Sequence, residues 1–186
     1  GFDLVTMLAN QESTRNMTPM EYLGNLILLI VGGNDTTRNS ITGGVLALNQ
    51  NPDQYEKLRG DPSVIPTMVN EIIRWQTPLA HMRRTATRDT VLGGKQIKQG
   101  DKVVMWYVSA NRDERVFPRG DRLEIDRPNA SQHLAFGFSI HRCMGAHLAD
   151  MQLRVLWEEI TRRFEFVEVV GEPERVRSNF VRGYRH

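Results

Sequence analysis

One cysteine, Cys143, occurs in the 186 residues. It lies in Phe136-Gly137-Phe138-Ser139-Ile140-His141-Arg142-Cys143-Met144-Gly145, just ahead of a segment with helical apolar spacing. A sulfur at a helix N-terminus meets unpaired N–H groups and the positive end of the helix dipole, which favour a thiolate. Such a cysteine is a nucleophile, a metal ligand or an inert small hydrophobe. Its surroundings shift the balance towards chemistry. Glycines on both sides let the backbone pass close to a large flat object. Phe136 can pack against that object, and His141 and Arg142 can meet carboxylates. A second constellation is Gly32-Gly33-Asn34-Asp35-Thr36-Thr37, an acid beside a hydroxyl next to residues without side chains. One reading is a notch in a helix with hydroxyls bonded to the i−4 carbonyl. The other is a small pocket with a proton relay.

Two further sets are weaker. Cys143 and His147 are i,i+4 on one helix face, with His141 and His133 nearby, a set that zinc accepts. Glu71 and Arg74 are i,i+3 and suit a helical salt bridge. The same spacing recurs at 12/15, 159/162, 172/175 and 174/177, so spacing alone does not single the pair out.

The elements that must position these residues are written in local signals. Thr18-Pro19-Met20-Glu21 is a helix start with a capping box, and the helix runs to Gln50, where Asn51-Pro52 stops it. At ~1.5 Å per residue it is a rod of roughly 48 Å. The pairs Gly32-Gly33 and Gly43-Gly44 interrupt it, each glycine costing ~1 kcal/mol against alanine, which implies close approach by something. Shorter helices are expected over 53–59 and 66–76, the latter ending at Thr77-Pro78. Val91-Leu92, Gln96-Ile97 and Val103 to Trp106 read as short strands with tight turns. Residues 117–135 are loop-like. A last helix runs from near Cys143 to Phe164, with Met144, Leu148, Met151, Val155 and Ile160 on its apolar face. Val167, Val169-Val170 and Gly171-Glu172-Pro173 suggest a late hairpin.

Composition sets the outer bounds. The chain is 40% hydrophobic and 25% charged with net charge +2, an ordinary folded composition that gives no case for nucleic acid as a partner. A lone cysteine excludes an internal disulfide. The longest apolar run, Leu26 to Val31, is far too short to span a bilayer, and no signal peptide precedes it; the expected location is cytoplasmic. The chain begins at Gly1 without a methionine, inside what reads as ongoing structure. It is therefore expected to be one partial domain, 1–186, of a longer protein.

The decapeptide around Cys143 resembles the cysteine-ligand loop of the cytochrome P-450 family, Phe-Gly-x-Gly-x-(Arg/His)-x-Cys-x-Gly. The resemblance implies a mainly α fold with small β-sheets, here its C-terminal haem-binding part. It implies Cys143 as axial ligand to haem (heme, iron protoporphyrin IX), with Phe136, Gly137 and Gly145 shaping the loop and His141 on a propionate. Ser139 stands where the family usually has its second glycine; a positive φ there would strain serine. Gly32 to Thr37 matches the family's Gly-x-Asp-Thr signature, in which Thr36 would hydrogen-bond bound oxygen and Asp35 would support proton delivery. By position, Glu71 and Arg74 match the family's helix pair. Arg122 would be the third member, and the implied role is a buried charge network beneath the haem. Arg84, in Arg84-Thr85-Ala86, matches a second propionate contact. Leu29, Gly32, Leu79, Ala80 and Phe180 fall where the family lines its substrate cavity.

The last helix and tail resemble a bacterial subfamily of soluble alkane hydroxylases, which act on the terminal carbon of medium-chain alkanes and fatty acids. The resemblance thus implies a haem-thiolate monooxygenase with a hydrophobic small-molecule substrate. No flavin or nicotinamide motif is present, so electrons would come from NAD(P)H through a ferredoxin reductase and a ferredoxin. Arg142, His147 and Arg154 would offer the ferredoxin a positive face. The alternatives are a structural Cys/His zinc site, or a non-catalytic fragment lacking the N-terminal helices that close over the haem.

Overall fold

The structure, a computed structural model, describes residues 3–185. Asp3 accepts the amide of Thr6 and starts a short helix, α1 (Leu4–Asn10). Thr18 then caps α2 (Pro19–Gln50). Its hydroxyl accepts the Glu21 amide at 3.3 Å, and the Glu21 carboxylate accepts the Thr18 amide at 2.8 Å. The helix runs on to Gln50 through both glycine pairs, as expected. Only the second pair has a packing reason. A Cβ on Gly43 would collide with the Gln76 side chain, and one on Gly44 would lie 3.0 to 3.1 Å from Ile72 and Trp157. Those glycines let α4 (Ile65–Gln76) and α6 (Ala146–Arg163) press onto α2. Gly32 and Gly33 face open space. Every buried residue of α2 lies at or beyond Asn39, and Leu23, Ile27, Leu28, Ile30 and Val31 are exposed.

The core gathers where α2, α3 (Pro52–Gly60), α4 and α6 meet. Leu48, Leu58, Met68, Val69, Ile72, Ile73, Ile125, Leu153 and Trp157 are all closed off from solvent there. Each such side chain stabilises the fold by about 1.5–3 kcal/mol. The inward face of α6 differs from the expected one. Ala146, Leu153 and Trp157 are buried, with Ile160 beside them, while Met144, Leu148, Met151 and Val155 are exposed. Apolar residues sit on two sides of this helix. The side that turns in is the one whose Trp157 fits the Gly44 groove.

Two small antiparallel sheets follow α4. β1 (His81–Thr85) pairs with β4 (Lys102–Trp106), setting His81 opposite Trp106. β2 (Thr90–Leu92) and β3 (Lys95–Ile97) form a hairpin through Gly93-Gly94. β1 carries no apolar alternation, since His81, Arg83 and Arg84 interrupt it, and it was not expected as a strand. A helical turn, α5 (Tyr107–Ala110), leads into a long irregular segment. The mixture of long helices and small sheets is the expected fold class.

The tail makes no hairpin over 167–173. Asn49 captures that segment instead: its Nδ2 donates to Val167 O at 2.9 Å and its Oδ1 accepts the Val169 amide at 3.0 Å. The Tyr55 hydroxyl accepts the Val167 amide at 2.9 Å. The chain reverses later, where Val176 N donates to Gly183 O at 3.0 Å and Arg185 N to Glu174 O at 2.8 Å. This reversal is bolted to α4 and α2. Gln76 Nε2 donates to Arg182 O at 2.8 Å, Arg182 Nη1 donates to Gln76 O at 2.9 Å, and Gly183 lies so close to Asn39 that a Cβ would collide.

Candidate active site

The cysteine loop is built from backbone. Gly137 N donates to Leu134 O at 2.8 Å, and Cys143 N donates to Phe136 O at 2.7 Å, which closes the loop. Gly137 has φ +73°, and a Cβ there would lie 2.8 Å from His141 O. Cys143 is free and exposed, two residues before Gly145, the N-cap of α6, which has no side-chain cap. Phe138, Ile140 and Met144 surround it with uncovered apolar surface. Ser139 has φ +54°, so serine does occupy a left-handed position. Replacing Ser139 with glycine is therefore expected to stabilise the loop by about 1 kcal/mol, read as slower amide exchange at Cys143.

Beneath the loop lies a buried charge network. The Glu71 carboxylate accepts Arg74 Nε at 2.6 Å and Arg74 Nη2 at 2.7 Å, with both side chains fully buried. Its third member is Arg127, not Arg122. Arg127 Nε donates to both Glu71 oxygens at 3.2 Å. Arg122 contributes only its carbonyl, which accepts from Arg74 at 3.0 Å and Arg127 at 3.1 Å, while its side chain is exposed. Leu123, Ile125 and Arg127 are buried, and a turn at Ile125-Asp126, closed by the Arg127 amide on Glu124 O at 3.0 Å, carries Arg127 inward. That turn, not any spacing in the letters, separates it from Arg122. The remaining hydrogen bonds of the two guanidiniums go to backbone carbonyls, from Arg74 to Asn111 O at 2.5 Å and Gly120 O at 2.7 Å, and from Arg127 to Pro118 O at 2.7 Å and Arg119 O at 3.2 Å, which ties down the irregular segment.

The expected cavity residues fall into two groups. Leu79 bridges Val181, and Ala80 N donates to Phe180 O at 2.8 Å, so Leu79, Ala80 and Phe180 form one wall. His81 joins it, with ring centroids 4.8 Å from Trp106 and 5.6 Å from Phe180. This aromatic cluster was not read from the sequence, because only strand pairing brings Trp106 beside His81. Leu29 and Gly32 lie on the uncovered half of α2. In the notch, Thr36 Oγ1 donates to Gly32 O at 2.8 Å and Asp35 pairs with Arg38 at 3.0 Å, both near the surface. Arg84 is a half-buried residue of β1 whose Nη1 donates to Arg83 O at 2.9 Å near the surface.

The expected zinc alternative does not assemble: among the described residues no three His, Cys, Asp or Glu side chains come together to hold a metal ion. His133 is buried and its Nδ1 is already engaged by the Ala135 amide at 3.2 Å. The donor set suits an iron porphyrin instead. A single free thiol is presented outward, Gly137 leaves the backbone bare beside it, and apolar side chains stand uncovered around it. His141 and Arg142 supply exposed nitrogen donors for carboxylates.

Comparison with known proteins agrees. Residues 63–182 match the family model described as Cytochrome P450. The chain is 45% identical to linalool 8-monooxygenase of Pseudomonas putida over its whole length, covering 46% of that protein. It is 41% identical to a methyl-branched lipid omega-hydroxylase of Mycobacterium bovis, over 98% of this chain and 43% of that one. Among solved structures, cytochrome P450-153 from Novosphingobium aromaticivorans superposes with a TM-score of 0.96 at 60% identity, over 98% of this chain and 46% of that chain. The chain thus spans less than half the length of these relatives. With a free cysteine in a bare backbone loop at the head of α6, a buried Glu–Arg–Arg frame beneath it and a family model matched from Ser63 to Arg182, the chain belongs to the cytochrome P450 family.

Proposed function

We propose that the whole protein is a haem-thiolate monooxygenase that hydroxylates the terminal carbon of medium-chain alkanes or fatty acids. The observation that carries this reading is the loop closed by the Cys143 amide on Phe136 O, which presents a free sulfur at the start of α6. Cys143 would hold the iron, Phe136, Gly137 and Gly145 would shape the seat, and His141 and Arg84 would take the propionates. A thiolate-bound haem activates dioxygen for insertion of one oxygen atom into an unactivated C–H bond. The residues supply orientation, protons and exclusion of water. Thr36 and Asp35 would hold and pass protons beside the open space at Gly32 and Gly33.

The wall of Leu79, Ala80 and Phe180, extended by Leu29 and Gly32, is apolar and suits a hydrocarbon. The likeness to a lipid omega-hydroxylase supports the terminal position. Electrons would come from NAD(P)H by way of a ferredoxin reductase and a ferredoxin that meets Arg142 and His147. Arg154, already paired with Asp150 at 2.8 Å, would add less. No helix among the described residues is long and apolar enough to cross a membrane, which suits a cytoplasmic enzyme.

The test is the reduced, CO-treated spectrum of the full-length protein, followed by product analysis with a medium-chain alkane. The expected result is the red-shifted thiolate Soret band, absent in Cys143→His, and a primary alcohol as main product. A wild-type protein without that band ends the haem-thiolate reading. A product oxidised only inside the carbon chain ends the terminal one.

A further inference from the structure

We propose that His133 is a positioning residue for the cysteine loop: its neutral ring holds the turn that carries Phe136, and so places Cys143, and protonation of the ring releases that turn. The proposal rests on the haem-thiolate reading for one of its two readouts.

His133 lies where a short turn, Ala130–Gln132, hands over to the loop, and it is only 4% exposed. Four amides fasten the handover in sequence. Leu134 N donates to Asn111 Oδ1 at 2.7 Å, Ala135 N to His133 Nδ1 at 3.2 Å, Gly137 N to Leu134 O at 2.8 Å, and Cys143 N to Phe136 O at 2.7 Å. The His133 ring also packs on Phe136, with centroids 5.3 Å apart. The cysteine amide therefore hangs from a carbonyl whose residue is held on its inner side by this imidazole.

Because Nδ1 accepts, the ring proton sits on Nε2, which is buried without a partner among the described residues. A second proton would convert Nδ1 from acceptor to donor and turn it against the Ala135 N–H. It would also add charge next to Arg142 and Arg74, the charged groups that act on this ring. Burial first, then those two arginines, push the imidazole down to about 4. A released ring returns to the ordinary value of ~6.5. The sign comes from that difference. Releasing the turn takes up a proton between about pH 6.5 and about pH 4, so the opening constant rises about tenfold for each pH unit lost in that window. Above ~6.5 the neutral ring keeps the loop closed.

The test uses the full-length protein as wild type, H133N and H133F. Asparagine places Oδ1 near the position of Nδ1 and does not titrate, whereas phenylalanine keeps a ring without the acceptor. The readouts are hydrogen exchange at the Ala135 and Cys143 amides and the fraction of thiolate-type Soret band in the CO complex, from about pH 7 to about pH 4.5. Wild type is expected to exchange faster and lose the band as pH falls. H133N should stay flat, and H133F should exchange at least about tenfold faster already at neutral pH, an opening constant raised by ~1.4 kcal/mol. H133N following the wild-type curve, or H133F matching wild type at neutral pH, overturns the proposal. Exchange decides this without any haem band, so a missing band counts against the haem reading and leaves the role of His133 to be judged by exchange alone.

Discussion

Glu71→Ala is expected to unfold the chain. Its carboxylate neutralises two guanidiniums, Arg74 and Arg127, whose side chains are 0% and 2% exposed. Removing one partner of a buried ion pair costs about 3–5 kcal/mol, because the other charge stays behind without water. Here two charges stay behind. Glu71 also accepts the Glu124 amide at 3.0 Å, so a segment of backbone is freed as well. Against a total stability of about 5–15 kcal/mol, that loss leaves little or no folded population. Urea titration by circular dichroism reads it. Glu71→Gln should cost nearly as much, since it keeps the shape and loses the charge. Arg122→Ala is the discriminating control. It leaves its carbonyl in place and should stay within about 0.5 kcal/mol of wild type. A large effect there, with a small one at Arg127, would reverse the assignment of the third member.

Gly137→Ala should open the cysteine loop while leaving the core folded. The residue holds φ +73°, where an added Cβ costs ~1–2 kcal/mol. That Cβ would also sit 2.8 Å from His141 O, a backbone atom with little freedom to retreat. Together they amount to about 2–4 kcal/mol placed on one turn. The hydrogen bond from Cys143 N to Phe136 O is the contact that gives way. Fast amide exchange at Cys143 with an unchanged urea midpoint for the helices is the expected signature, and in the full-length protein haem is lost on gel filtration. Gly145→Ala supplies the contrast. Its φ is −86°, and a Cβ would meet only Cys143 Sγ at an ordinary 3.8 Å, so exchange should stay near wild type.

What the sequence disclosed was local. Thr18, Pro19 and Glu21 sit within one turn of each other, and the capping box with its helix to Gln50 is present as read. The cysteine loop is likewise one continuous stretch, whose glycines and Ser139 carry their conformational requirements with them. The errors share a different origin. Leu148, Met151 and Val155 follow helical spacing as well as Leu153 and Trp157 do; only the groove at Gly44 decides which side turns in. β1 has no pattern of its own and exists because β4 pairs with it. Arg122 and Arg127 are equivalent as letters, and the turn at Ile125-Asp126 separates them. The tail looked like a hairpin because Gly171 and Pro173 are turn residues, yet Asn49, far away in the sequence, takes its hydrogen bonds.

The clasp between Gln76 and Arg182, and the seat of Gly183 on Asn39, also set an order in time. Ala80 leaves the ribosome about 100 residues before Phe180. At ~5–20 residues per second that is a delay of ~5–20 s, long enough for helices to form and pack. In that interval α2, α3 and α4 exist while Arg127 and α6 are still to come, so the core and the wall close together only once the stretch through Phe180 has been made. A ribosome halted before Arg127 would release a polypeptide whose Glu71 lacks its second guanidinium and whose core lacks Trp157.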